Sequence, residues 1–185
     1  MSKPFNPIKL AASAGRDRSQ LSLLEPVPRN ECVFSPCRRY RYLLTRKLGK
    51  GSGACLWVLA NPSIANEFAL DPTLRRCADY TERWGFAEMR VVNVRAWVST
   101  DPKGVPADPL GIGPENDGHI IEQAALAGLV VCGWGKLGGA RGPQVLQLLR
   151  PYCVPKALKL NDDGSPQHPL YLAKSLKPFY LREPA

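Results

Sequence analysis

Five apolar residues, Leu56-Trp57-Val58-Leu59-Ala60, run unbroken into the polar Asn61-Pro62-Ser63. A short continuous apolar run stopped by a turn signal is the pattern of a strand buried on both faces, ending at the rim of a parallel sheet. Met89-Arg90-Val91-Val92-Asn93-Val94 repeats it, and so does Leu129-Val130-Val131-Cys132, which continues into Gly133-Trp134-Gly135. Ala157-Leu158-Lys159-Leu160 predicts a fourth strand. Between these runs the apolar spacing turns helical. Leu74, Cys77, Ala78, Thr81 and Trp84 predict a helix over 73–84, started by Asp71 or Thr73 as cap and ended at Gly85. Further helices are predicted over 117–127, with acidic residues in its first turn, and over 143–149, opened by Pro143. Upstream, Phe34 to Thr45 alternates aromatics and arginines, as an edge strand or hairpin would. Strands alternating with helices predict an α/β domain over 31–185. Residues 1–30, rich in Pro, Ser and Arg and without periodicity, read as a flexible basic N-terminal arm.

The chain has 185 residues, 44% of them hydrophobic and 22% charged, enough for one α/β domain with an extension. No run approaches the length of a membrane span, so no membrane association is expected. Lys3, Lys9, Arg16 and Arg18 are scattered through an N-terminal region that lacks the apolar core of a secretory signal, and a cytoplasmic location is expected. The net charge of +9 suits a polyanionic partner, although a basic protein with an unrelated role shares it. Six cysteines form no Cys-x-x-Cys pair. Cys32 and Cys37 would make half of a metal or iron–sulfur site, but reduced structural thiols are the simpler reading, and neither metal nor cofactor is expected.

Candidate chemistry gathers at the strand ends. In a parallel sheet Asn61, Asn93 and Trp134 fall on one edge, where such sheets keep their sites. Asn61 precedes a proline and is held extended, so its amide stands clear of the strand, and Ser63 can do the same. His168, also before a proline, is the best ionisable candidate; His119 lies within a predicted helix and reads as structural. Arg75 and Arg76 occupy the first turn of a helix, where the dipole disfavours cations, so they serve either a phosphate ligand or a salt bridge to Asp71 or Asp79. Gly135 to Gly142, with Lys136 and Arg141, is a basic glycine-rich loop that would let backbone approach a phosphate. Gly49 to Gly53 lacks phosphate-loop spacing and reads as a turn. The loop over 99–114, which holds Asp101, is long enough to carry function. Asn116 and Asp117 either reach the cleft or cap their helix.

Phe34-Ser35-Pro36, Arg39 to Leu44, Asn61-Pro62-Ser63-Ile64-Ala65, Asp71 to Arg76, Arg83-Trp84-Gly85, Thr100-Asp101-Pro102, Gly113 to Asp117, Trp134-Gly135 and His168 to Leu172 together resemble the bacterial and phage family called domain of unknown function 1643. The order of the motifs is also similar to that of the uracil-DNA glycosylase superfamily. That resemblance implies a three-layer αβα sandwich with a mainly parallel four- to five-stranded central sheet. It implies that Asn61 positions the hydrolytic water and His168 stabilises the departing base. Ser63, Asn93, Trp134 and Phe68 would hold the base, and Leu170 would wedge the duplex. Arg75, Arg76, Lys136 and Arg141 would bind DNA, with Asp71, Thr73, Asp101, Asn116 and Asp117 as site support. No aromatic follows Asn-Pro-Ser closely enough to stack on uracil, the nearest after it being Phe68, and Asp71 to Arg76 has no counterpart in the uracil enzymes; with the long loop over 99–114 this points to a larger or modified base. Activity on modified phage bases would imply antiviral defence.

The leading expectation is a monomeric, monofunctional DNA glycosylase that flips a modified base out of duplex DNA. Two others stay open: a hydrolase of free modified nucleotides or nucleosides, which needs the cleft but no wedge, and a non-catalytic nucleic-acid-binding module.

Overall fold

Strand β3, Ala54–Leu59, is buried at every position, and the sheet is built outward from it. The computed structural model describes residues 30–63 and 70–181; the N-terminal arm and Phe68 lie outside them. The other strands are β1, Glu31–Phe34; β2, Arg41–Lys47; β4, Glu88–Asn93; β5, Leu129–Cys132; β6, Lys156–Ala157; and β7, Phe179–Tyr180. They form a seven-stranded sheet in the order β1-β2-β4-β3-β5-β6-β7.

The expected sheet, mainly parallel and of four or five strands, is therefore corrected. The parallel part is β4-β3-β5-β6. Antiparallel strands extend it on both sides, β2 and β1 beyond β4 and β7 beyond β6. The physical reason is the hairpin of β1 and β2. Its alternating pattern satisfies its hydrogen bonds along β4, whose outer edge would otherwise be left unpaired. The strand expected over 157–160 pairs only at Lys156 and Ala157, and Leu160 forms an isolated bridge with Pro166.

Side chains alternate across β3, so each face receives its own core. Leu56, Val58 and Ala60 join Val92, Val94, Val130 and Cys132 on one face. Helices α2, Asn116–Leu126, and α3, Arg141–Leu149, cover that face through Ile120, Ala124, Val145 and Leu149. Cys55, Trp57 and Leu59 join Met89, Val91 and Val131 on the other, under Leu74, Cys77, Ala78 and Tyr80 of α1, Pro72–Arg83. Trp57 is the centre of that layer. Its indole stacks on Trp84 at 5.7 Å, and its N–H donates to the Thr81 hydroxyl at 2.9 Å, so the buried polar atom is satisfied.

Topology opens the edge at β3. The chain leaves β3 toward the α1 face, whereas it leaves the neighbouring strands β4 and β5 toward the α2 and α3 face. Loops that part onto opposite faces leave a crevice at the carboxyl ends of the strands. Among the described residues no helix is long and apolar enough to cross a membrane.

Trp134 belongs to the core rather than to this crevice. It is 2% exposed, and a Cβ on either Gly138 or Gly142 would overlap its indole. The glycines of this loop seat the tryptophan. Gly138→Ala is accordingly expected to lower stability by about 1–3 kcal/mol through overpacking, measured as a shift in the denaturant midpoint.

Candidate functional site

Past β3 the backbone passes through Ala60 into Asn61, whose side-chain N–H groups donate to the Ser99 carbonyl at 3.0 Å and the Pro62 carbonyl at 3.3 Å. With its nitrogen committed to the backbone, the amide keeps its oxygen as an acceptor for a ligand or water. Two residues on, the Ser63 hydroxyl donates to Asp71 Oδ2 at 2.7 Å. The other Asp71 oxygen accepts the Leu74 N–H at 2.8 Å and caps α1. One carboxylate thus fixes both the loop from β3 and the helix that follows.

Asn93 closes β4 and is 2% exposed. Its Oδ1 is buried without a hydrogen-bond partner. An unsatisfied buried carbonyl oxygen costs about 1–3 kcal/mol, which a ligand N–H would recover. The backbone beneath it is held from behind. Asn116, fully buried, donates its amide N–H to the Asn93 carbonyl at 2.9 Å and the Val94 carbonyl at 3.3 Å. Arg141 Nε donates to the same Val94 carbonyl at 3.2 Å, and the arginine is paired with Asp117. Asn116 is therefore not a helix cap. It is a clamp on the strand end.

His168 starts a single turn of tight helix and accepts the Leu170 N–H on Nδ1 at 3.5 Å. Burial pushes its pKa below the ordinary 6.5, opposed by the Asp71 carboxylate. The ring is neutral at pH 7, and with Nδ1 accepting, the proton sits on Nε2.

Asn61, Ser63, Asp71, Thr73, Asn93 and His168 line one cavity of about 150 Å3 together with Arg41. Arg41 was not among the residues singled out by sequence. It lies at the start of β2, is 3% exposed, and donates to the Ser63 carbonyl at 3.4 Å. Burial pushes its pKa down, with Asp71 among the groups opposing. The clue was the Arg-Tyr alternation of residues 39–42, but periodicity does not say which arginine faces inward. A second cavity, of about 230 Å3, adjoins the first at Ala60, Asn61, Pro102 and Leu137.

Several expected ligand contacts lie elsewhere. Trp134 is buried beneath its glycine loop. Arg141 is 4% exposed and spent on Val94, Asp117 and Gln144, so it is no DNA contact. Asp101 is exposed and caps the turn over Pro102–Gly104 by accepting the Lys103 N–H. Lys136 is exposed on the loop after β5 and lines neither cavity. Arg75 and Arg76 make no ion pair with Asp71 or Asp79; they donate to the Leu70 and Leu172 carbonyls. With Leu170 and Lys174 they border a separate depression of about 300 Å3. Leu170 is half-buried there, and the residue that projects is Tyr171, 87% exposed. Among the described residues no group of three or more His, Cys, Asp or Glu side chains gathers as a metal site.

A family described as protein of unknown function (DUF1643) matches residues 41–170. The match spans β2 through His168, hence both cavities. No curated protein and no solved structure matches the chain, the uracil-DNA glycosylases included.

Two outcomes are expected from the geometry. The folded state takes up the His168 proton less readily than the unfolded chain, so this residue's contribution to stability is present above pH 6.5 and is lost as pH falls through the lowered folded value. A His168→Gln variant should lose less stability than wild type over that interval, as followed by urea unfolding. Asn116→Ala should cost about 1–3 kcal/mol, because the strand-end carbonyls at Asn93 and Val94 lose a buried donor; the same unfolding measurement checks it.

Proposed function

The chain belongs to the DUF1643 family, and we propose that it is a DNA glycosylase, hydrolysing the N-glycosidic bond of a flipped, modified base to leave an abasic site. The observation that carries this reading is the buried, unpartnered carboxamide oxygen of Asn93, a residue that lines one cavity with Asn61 and His168. A carboxamide pairs with the donor and acceptor of a base edge, and the penalty of leaving it unpaired is removed only when such an edge arrives.

The remaining groups suit the chemistry. Asn61 holds a water by its amide oxygen against C1′; position matters more than proton abstraction when the sugar carbon is oxocarbenium-like. Asp71, negatively charged and fixed by two hydrogen bonds, stabilises that positive charge electrostatically. The base leaves with the electron pair of the glycosidic bond, and the Nε2–H of neutral His168 donates to the anion. Water supplies the hydroxyl at C1′, and its other proton neutralises the departing base anion. The net charge of +9 and the cluster of Arg75, Arg76 and Lys174 suit a phosphate backbone. Tyr171, rather than Leu170, is the exposed side chain able to fill the gap left by an extruded base. Excision of bases that phages modify would make the activity a defence.

Abasic-site formation tests the reading. Purified protein is incubated with duplexes carrying uracil, hypoxanthine, methylated, hydroxymethylated or glucosylated bases, and alkali then reveals strand breaks. Cleavage at one of these bases is expected. Asn61→Ala should lower kcat by about 100-fold, and Asn93→Ala should raise KM by about tenfold while weakening discrimination between bases. Hydrolysis of free nucleosides alone would assign the cavity to nucleoside metabolism, and tight binding to DNA without breaks in any substrate would overturn catalysis.

A further inference from the structure

The larger cavity adjoining the reading pocket has no role in excising a bare base. Its wall shares Ala60, Asn61, Pro102 and Leu137 with that pocket, so a group carried on an edge of the bound ring would lie beside it. A void left empty beside the reacting centre would admit bulk water, which such sites otherwise exclude. The inner cavity, about 150 Å3, is the size for a planar ring; the outer, about 230 Å3, is larger than the ring it would serve.

Its walls are built. Arg95 stands at one side with its guanidinium fixed by two hydrogen bonds to Asp108, 2.8 and 2.9 Å, and a third to the Leu137 carbonyl at 3.0 Å. Val105, Pro106 and Ala107 also line the cavity. The loop that carries them is folded down on the arginine: a Cβ at Gly111 would overlap the Pro106 carbonyl oxygen and meet Arg95 Cδ at 3.3 Å. The Ala96 N–H to Ile112 carbonyl bond, 3.1 Å, and the Trp97 N–H to Gly111 carbonyl bond, 3.2 Å, tie the loop ends together.

The charge of this wall selects the ligand. Asp108 neutralises Arg95, so an anionic substituent gains no net attraction and a cationic one none either. The polar side chains in the wall are Arg95 and Asn61, a donor and a carboxamide, and a neutral hydroxyl, which both donates and accepts, can pair with either. Pro102, Val105 and Pro106 accept the apolar face of the same group. We propose that this compartment is a subsite for a neutral, hydroxylated substituent carried on the target base, an assignment that rests on the glycosylase reading above.

The test measures kcat/KM for abasic-site formation on duplexes that differ at one position only: cytosine, 5-hydroxymethylcytosine or glucosylated 5-hydroxymethylcytosine, with uracil as the small reference base. Wild type and two filling variants, Ala107→Trp and Val105→Trp, are compared after their melting temperatures are matched. Ala107 is exposed, so the tryptophan there need not disturb the core. The expected result is that wild type favours a hydroxylated base over cytosine by at least about tenfold, and that filling the compartment removes about tenfold more activity from the hydroxylated base than from an unsubstituted one. Excision of uracil or cytosine with no gain from the substituent, or a preference that survives both tryptophans, overturns the subsite and leaves the glycosylase standing. Absence of abasic sites from every duplex overturns the glycosylase reading, and the subsite falls with it.

Discussion

The carboxylate of Asp71 works at two levels of the structure at once. One oxygen accepts the Leu74 N–H and starts α1, the helix that covers one face of the sheet. The other accepts the Ser63 hydroxyl and closes the loop that leaves β3. Because both bonds are made by one rigid group, the helix start and the strand exit cannot drift apart. The same charge opposes the effect of burial on Arg41 and His168, for both of which burial is the larger influence.

Behind the cavity a second device does for β4 what Asp71 does for β3. A strand end has carbonyls with no ladder partner, and in a buried crevice they cannot turn to water. Asn116 and Arg141 supply the donors from the α2 and α3 side, with Asp117 paired to the arginine. The Asn93 carbonyl is thereby used, while among the described residues its side-chain oxygen has no partner. Among the described residues the side-chain oxygens of Asn116 and Gln167 are buried without a partner as well, so the surrounding packing carries the cost of several missing bonds.

Charge in this chain is less superficial than the net value suggests. Arg41 and Arg141 are buried, and Arg95 is engaged by Asp108 and Leu137. Exposed cations include Arg75 and Lys174, the latter paired with Asp79 at 3.2 Å, by the α1 depression, and Lys103 and Lys136, next in sequence to Pro102 and Leu137, which line both cavities.

Local pattern determined the elements and much of the edge chemistry. The apolar runs ending at Asn61, Asn93 and Gly133 mark three neighbouring parallel strands, and the helical spacing from Leu74 with its Asp71 cap marks α1 within a residue or two. These signals are legible because strand and helix periods, caps and proline restrictions act over a few residues. Asn61, Asn93 and His168 were legible as a group for the same reason, since each closes a strand or loop whose direction the topology class prescribes. Tertiary structure alone decided the antiparallel strands at both sides, the burial of Trp134, and the inward turn of Arg41. It also decided that Arg141 clamps a strand and that Leu170 packs while Tyr171 projects. Each of these depends on a partner far away in the chain: an open edge on β4, two glycines able to admit an indole, an orphaned carbonyl at Val94. Residue type and spacing record a side chain's preferences, but which preference is met is settled by the neighbour that arrives on folding.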